Sequence, residues 1–135
     1  MTDIGFTGTR KGMTCSQKKA LRVLFNDVSS PVFHHGDCVG ADADAHAIAS
    51  KYNAAITIHP PTSAAYRAWC RSGTMRPSKP YIQRNHDIVD AVSILIAAPA
   101  SLTEEQRSGT WATVRYARFT KTPVIILDPY GGPTT

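Results

Sequence analysis

Pro31-Val32-Phe33-His34-His35-Gly36-Asp37-Cys38-Val39-Gly40-Ala41-Asp42 runs from an apolar strand, through a turn with a glycine at each end, into a segment of helical period. A strand that ends in such a turn and feeds a helix aims backbone N–H groups and the positive helix end at one spot, where a phosphate can sit. The arrangement occurs once more, nearer the amino terminus. Ile4-Gly5-Phe6-Thr7 reads as a strand and Gly8-Thr9-Arg10 as the turn that follows it. Two such turns in one small chain point to a nucleotide or a nucleic-acid backbone.

Outward from these turns, apolar runs and helical periods keep alternating. Ala55-Ile56-Thr57-Ile58, Val92-Ser93-Ile94-Leu95-Ile96-Ala97 and Val124-Ile125-Ile126-Leu127 read as three further strands. The last two are apolar on both faces, as central parallel strands covered by helices must be. Thr14-Cys15-Ser16-Gln17 has the form of a capping box, and the helix it opens carries Leu21, Leu24, Phe25 and Val28 on one face. Ala41, Ala45, Ile48, Ala49 and Tyr52 define a second helix, and Tyr81, Ile82, Asn85, Ile88 and Val89 a third. A fourth runs from Ser108-Gly109-Thr110 through Val114 and Ala117 to about Thr122, where Pro123 stops it. Right-handed crossovers then give an α/β, three-layer, Rossmann-like domain with a doubly wound parallel sheet of about five strands.

The 135 residues allow one domain, 1–135, with a real core. Within it, 60–80 reads as a long functional loop with a short helix around Ala64 to Arg71, and 129–135 as a flexible tail. An apolar fraction of 42% with no run near ~20 apolar residues excludes a membrane-spanning helix. The start Met1-Thr2-Asp3-Ile4-Gly5 lacks an export pattern, so a cytoplasmic protein is expected. Cys15, Cys38 and Cys70 form no CxxC pair, which argues for free thiols and against a metal site. The net charge of +5 favours anionic partners. Arg67, Arg71, Arg76, Lys79 and Arg84 gather in one stretch with Tyr66, Trp69 and Tyr81, an interleaving that suits phosphate contact and base stacking.

Four motifs fall at the carboxyl ends of the expected strands, where open parallel sheets bind ligands. In Gly8-Thr9-Arg10, the glycine permits close backbone approach, Thr9 offers a hydroxyl and Arg10 can grip an anion, or the glycine serves only the turn. In the second turn, Gly36, Asp37, Gly40 and Ala41 shape the cradle, while Asp42 either accepts from a ribose hydroxyl or caps the helix. Arg84-Asn85 offers a phosphate contact and a base or turn contact. Ser108, Gly109 and Thr110 open the last helix with hydroxyls and free N–H groups. Tyr66 and Trp69 are candidates for base stacking, the latter equally for anchoring its loop. Cys38 sits where a helix end would lower its pKa, though without a partnered base. The five histidines lack metal-pair spacing and are assigned to structure. GxGxxG after the first strand and GxxxxGK[ST] are both absent, which excludes a standard dinucleotide dehydrogenase and a P-loop NTPase.

In order and spacing, from roughly Ile4 to Leu127, these motifs resemble the SLOG superfamily. That Rossmann-like group contains DNA-processing protein A and the cytokinin-activating LOG phosphoribohydrolases. Gly8-Thr9-Arg10 is similar to its opening G-[ST]-R. Gly36 through Asp42 with Ala45-His46 is similar to its glycine-rich element. Arg84-Asn85 is similar to its RN pair, and Ser108-Gly109-Thr110 with Ala117 and Pro123-Val124 to its closing segment.

The resemblance implies a nucleotide as ligand with no further cofactor, and a homo-oligomer in line with the family's dimers. Two alternatives come with it: a single-stranded DNA-binding module, and a hydrolase or transferase acting at an N-glycosidic bond. The LOG enzymes place a catalytic glutamate where this chain has Thr113, and their PGG is missing here, a departure from the pattern that carries LOG-type activity. Asp42 and Asp87 are the acids nearest the motifs.

Overall fold

A computed structural model describes residues 2–132. Ten elements follow in order: β1 (Thr2–Gly8), α1 (Cys15–Asn26), β2 (Pro31–His35), α2 (Ala41–Lys51), β3 (Ala55–Ile58), β4 (Thr74–Met75), α3 (Tyr81–Asp90), β5 (Ile94–Ala98), α4 (Gly109–Phe119) and β6 (Val124–Ile126). All strand pairs are parallel, in the order β4-β3-β2-β1-β5-β6. The sheet grows outward from β1 through β2, β3 and β4, then returns to the other side of β1 with β5. The winding therefore reverses between β1 and β5, which places a crevice at their carboxyl ends.

The apolar pattern explains the layers. Leu21 and Phe25 of α1 and Ala41, Ala45, Ile48 and Ala49 of α2 pack with Ile4, Phe6, Phe33, Ile56 and Ile58. Phe33 is central, tilted against Phe6 at 5.7 Å and Phe25 at 5.3 Å between ring centroids, contacts worth roughly 0.5–1.5 kcal/mol each beyond their area. Val89 of α3 and Trp111, Val114 and Ala117 of α4 form a second cluster with Leu95, Ala97 and Ile126. Gly5 lets α3 lie close to β1, since a Cβ there would crowd Val92 and Ile88.

Thr14 caps α1 by accepting from the Gln17 N–H, and the Gln17 carboxamide oxygen accepts from the Thr14 N–H, as a capping box requires. The same buried side chain spans further. Its Nε2 donates to the carbonyls of Pro99 at 2.8 Å and Leu127 at 3.0 Å, tying α1 to the segments that leave β5 and β6.

Two expectations change. The sheet has six strands, because Thr74 and Met75 pair with Thr57 and Ile58 at the edge. The short helix around Ala64 to Arg71 is absent: a turn closes from the Arg67 N–H to the Ala64 carbonyl, and Cys38 bridges Arg67 in antiparallel fashion. Apart from that one turn, the backbone of this stretch bonds to the second glycine turn, Tyr66 accepting from the Val39 N–H and Ala68 donating to the Asp37 carbonyl. At the carboxyl end, residues 129–132 turn back, with the Tyr130 N–H donating to Asp128 Oδ1 at 2.7 Å. Residues 133–135 of the expected tail lie outside the described residues. Among residues 2–132, no helix is long and apolar enough to cross a membrane.

Candidate functional site

An all-parallel sheet sends every strand-to-helix connection out at one edge, so all four motifs emerge at the carboxyl edge. What each does there differs.

The two glycine turns dock on one another. The Ala41 N–H donates to the Thr9 carbonyl at 3.0 Å, a Cβ on Gly8 would strike Ala41, and one on Gly40 would strike the Arg10 carbonyl. Gly40 also sits at φ +89°, a region that L side chains rarely enter. Gly36 lies beneath the Arg84 guanidinium, which would collide with any side chain added there. The glycines at 8, 36 and 40 are thus accounted for by protein packing.

The polar residues of the second turn are also engaged. Asp37 is fully buried at φ +56°. Its carboxylate accepts from Arg67 Nε at 2.9 Å and from the Cys70 N–H at 2.8 Å, and its carbonyl accepts from the Ala68 N–H at 2.7 Å. One aspartate thereby holds the middle of the 60–80 loop. Asp42, also buried, accepts from the Cys38 N–H at 3.1 Å and so closes the turn from the first turn of α2. Burial raises its pKa to about 6 against the opposing pull of Arg84.

Arg84 is 4% exposed. Its Nη1 donates to the carbonyls of Gly36 and, at 3.2 Å, His59, its Nη2 reaches Cys38 Sγ at 3.6 Å, and its Nε donates to Asn85 Oδ1 at 2.7 Å. Asn85 therefore orients the arginine. The Cys38 thiol is pushed up by burial and by Asp42, which reverses the lowering expected from the helix end.

The other half of the edge is open. The Thr9 N–H donates to the Ala98 carbonyl at 3.0 Å, joining the ends of β1 and β5. Beyond Ala98 the chain reaches α4, where Ser108 accepts from the Trp111 N–H at 3.3 Å. Gly109 has nothing within 4 Å of the place where a Cβ would stand, and Thr110 is buried behind it. Thr113 donates to the Gly109 carbonyl at 2.9 Å, so the position of the LOG-type glutamate carries an internal helix bond. Asp87 pairs with Lys79 at 2.6 Å on α3. Neither Asp42 nor Asp87 presents an unengaged carboxylate to the crevice.

Above the turns stands a basic and aromatic rim. The exposed Arg10 guanidinium lies 4.1 Å from the Tyr66 ring centroid, and Arg67 lies 3.9 Å from that of Trp69. Trp69 is 58% exposed at φ +59°, a backbone state that costs a non-glycine residue about 1 kcal/mol or more.

Four of the five histidines form two chains, and His86 stacks on Tyr116 at 3.7 Å between ring centroids. Asp3 Oδ1, His34 and His59 are linked at 2.9 Å per step, and His35, His46 and Ser72 at 2.9 Å per step. Burial holds His35 down to about 3 and His59 to about 4, so both are neutral. The ligand atoms of His35, His46 and Cys70 lie within 4.8 Å of one another, a grouping that sequence spacing does not reveal. The Asp37 N–H donates to His35 Nδ1 at 3.0 Å, which leaves the ring proton on Nε2, facing His46. Burial and a hydrogen bond to Asp37 push the Cys70 thiol up to about 12. A metal ligand needs the opposite second-shell arrangement, with the far ring nitrogen donating and the thiol ionised. The cluster as it stands is a hydrogen-bonded brace.

No protein-family model matches the chain, and no curated protein matches it in sequence. Solved structures do. A molybdenum cofactor binding protein from the phototrophic bacterium Rippkaea orientalis is similar with a TM-score of 0.70 at 20% identity, over 93% of this chain and 75% of that one. DNA processing protein A from Streptococcus pneumoniae gives 0.70 at 17% identity, over 93% and 50% of the two chains. The Helicobacter pylori DNA processing protein A, described for its single-stranded DNA binding mode, gives 0.66 at 18% over 93% and 64%. At these identities the likeness is one of fold. The chain has the Rossmann-like fold of these proteins.

Proposed function

We propose that this chain binds a nucleotide or a nucleotide-derived small molecule across the carboxyl edge of its sheet, with no further cofactor. One observation carries the reading. The open start of α4 at Ser108-Gly109-Thr110 shares an edge with Arg10, whose guanidinium makes no ion pair among the described residues and lies over the Tyr66 ring. Unpaired N–H groups at a helix start attract an anion. A guanidinium neutralises it, and the Tyr66 ring offers a face to a base. The Thr9 and Ser108 hydroxyls supply short-range donors, and Thr110 its backbone N–H in the first turn of α4. Gly8, Gly36, Gly40 and Ala41 serve by letting the two turns close up, and Asp37, Asp42 and Asn85 by fixing the loop and Arg84.

A second reading, binding of single-stranded nucleic acid, is favoured by the Arg67–Trp69 stack, an exposed platform of the kind on which successive bases stack. Proteins to which this chain is similar in fold are named for binding a molybdenum cofactor and for a single-stranded DNA binding mode, so the fold is compatible with both kinds of ligand.

A thermal-shift screen against mononucleotides, ADP-ribose, NAD and cyclic oligonucleotides tests the first reading. A ligand that binds only the folded state must raise the melting temperature. The reading expects a dose-dependent rise with at least one of them, and no rise at millimolar concentration of any would overturn it. An oligonucleotide that binds with a steep loss of affinity in salt, and is weakened by Trp69→Ala, would favour the second.

A further inference from the structure

A cavity of about 150 Å³ lies between the 60–80 loop and α3, lined by His59, Arg76, Pro77, Lys79, Arg84 and Asp87. We infer that it is a second anion site, for a phosphate-class oxyanion held by Arg76, Lys79 and Arg84. The assignment does not depend on what binds at the β1–β5 crevice.

Size and charge point the same way. Sites for whole cofactors run to roughly 300–1,000 Å³, so this cavity takes a single compact group. Three cationic side chains line it against one carboxylate, Asp87, and His59 is neutral because burial holds it to about 4. Lys79 Nζ gives one donor to Asp87 Oδ2 at 2.6 Å and keeps two. Arg84 uses its Nε, both Nη1 protons and one Nη2 proton on protein atoms, which leaves one Nη2 proton for a ligand. The Arg76 guanidinium makes no hydrogen bond or ion pair to a protein oxygen among the described residues.

The backbone beneath the lining residues is fixed in advance. The Arg76 N–H donates to the Ile58 carbonyl at 2.9 Å, continuing the β3–β4 pairing. The Lys79 N–H donates to Pro60 at 3.1 Å, and its carbonyl accepts from Thr62 at 3.0 Å. Both cations thus sit on backbone pinned to the segment that leaves β3, and Arg84 is held by Gly36 and His59. A buried, fixed Arg84 with Arg76 and Lys79 on pinned backbone around a small space suits a tetrahedral oxyanion, whether free or at the end of a larger ligand.

Titration of the full chain with inorganic phosphate in low-salt, phosphate-free buffer, followed by calorimetry and ³¹P NMR, tests the site. Saturable binding is expected, weakened about tenfold or more in Arg76→Gln, whose side chain makes no such bonds and so leaves folding intact. Asp87→Asn is expected to tighten binding several-fold, since it removes the one opposing charge and frees Lys79. Arg22→Gln, a change to an exposed cation on α1, is expected to leave binding as it was. A nucleoside 5′-monophosphate that displaces phosphate assigns the group to a nucleotide, and failure to displace assigns it to a free anion. Absence of saturable binding would overturn the inference. So would equal losses in Arg76→Gln and Arg22→Gln, or weaker binding in Asp87→Asn.

Discussion

The two halves of the carboxyl edge use the same residue type for opposite ends. On the β1–β2 side, Gly8 and Gly40 vanish into the contact between the two turns, and Gly36 makes room for Arg84. On the β5–α4 side, Gly109 faces open space. A glycine-rich turn therefore is not by itself a ligand cradle. The locked half supplies rigidity and the open half supplies access, and the Thr9–Ala98 bond holds them in register.

The sharpest way to break this contrast is to place the same methyl group on each side. Gly40→Ala forces a side chain into the Arg10 backbone at a positive φ, and is expected to cost about 3 kcal/mol or more in denaturant unfolding. Gly109→Ala is expected to change stability by less than about 0.5 kcal/mol while weakening the ligand found by thermal shift. Similar stability losses in both would erase the distinction.

Next in size is the clamp on the long loop. Asp37→Ala removes the partner of Arg67 and Cys70 from a fully buried site, with an expected loss of about 2–3 kcal/mol. Limited proteolysis should then cut within 60–80 much faster than in the wild type. Asp37→Asn keeps a residue that tolerates the left-handed backbone and is expected to lose less.

How far the chain could be read follows the same division. The five longer strands are legible because each is an apolar run, and α1 because its capping box and apolar face agree. β4 is not legible: two exposed residues have no pattern, and only their pairing with Thr57 and Ile58 makes them a strand. Ala64-Ala65-Tyr66-Arg67-Ala68 has helix-forming composition, but Asp37 and Val39 take up its backbone groups. Gln17 reads as a capping residue, yet half of its role lies in carbonyls 82 and 110 positions away. For the candidate site, the segments that meet at the carboxyl edge were legible, and what each of them packs against was not. Nothing local distinguishes the packed Gly40 from the open Gly109, or shows that Arg76, Lys79 and Asp87 enclose one cavity.

The buried groups of the locked half also set a pH dependence. His35 and His59 have folded values of about 3 and about 4, below the 6.5 of the unfolded chain, so their contribution is present above 6.5 and is lost as pH falls. Asp42 opposes them. Its folded value of about 6 lies above 3.8, so its contribution is present at low pH and is lost as pH rises through 6. Two histidines against one aspartate leave a net uptake of about one proton on unfolding between pH 4 and 6. Stability should therefore decline as pH falls through that window, measured by urea unfolding at several pH values. A flat or rising profile would mean that His35 and His59 are not buried neutral.

The smallest effect on stability, and the most local effect on binding, is expected at the rim. Arg10→Ala should leave the unfolding midpoint within about 0.5 kcal/mol of the wild type and weaken an anionic ligand about tenfold.

Amide shift mapping by ¹⁵N NMR, with the best-stabilising nucleotide titrated into the wild-type chain, tests the central claim most directly. The account predicts that the largest shifts fall on Thr9, Arg10, Ser108, Gly109 and Thr110, with little change at the docked Gly36 and Gly40. Shifts centred on the packed second turn, or none at the start of α4, would contradict it.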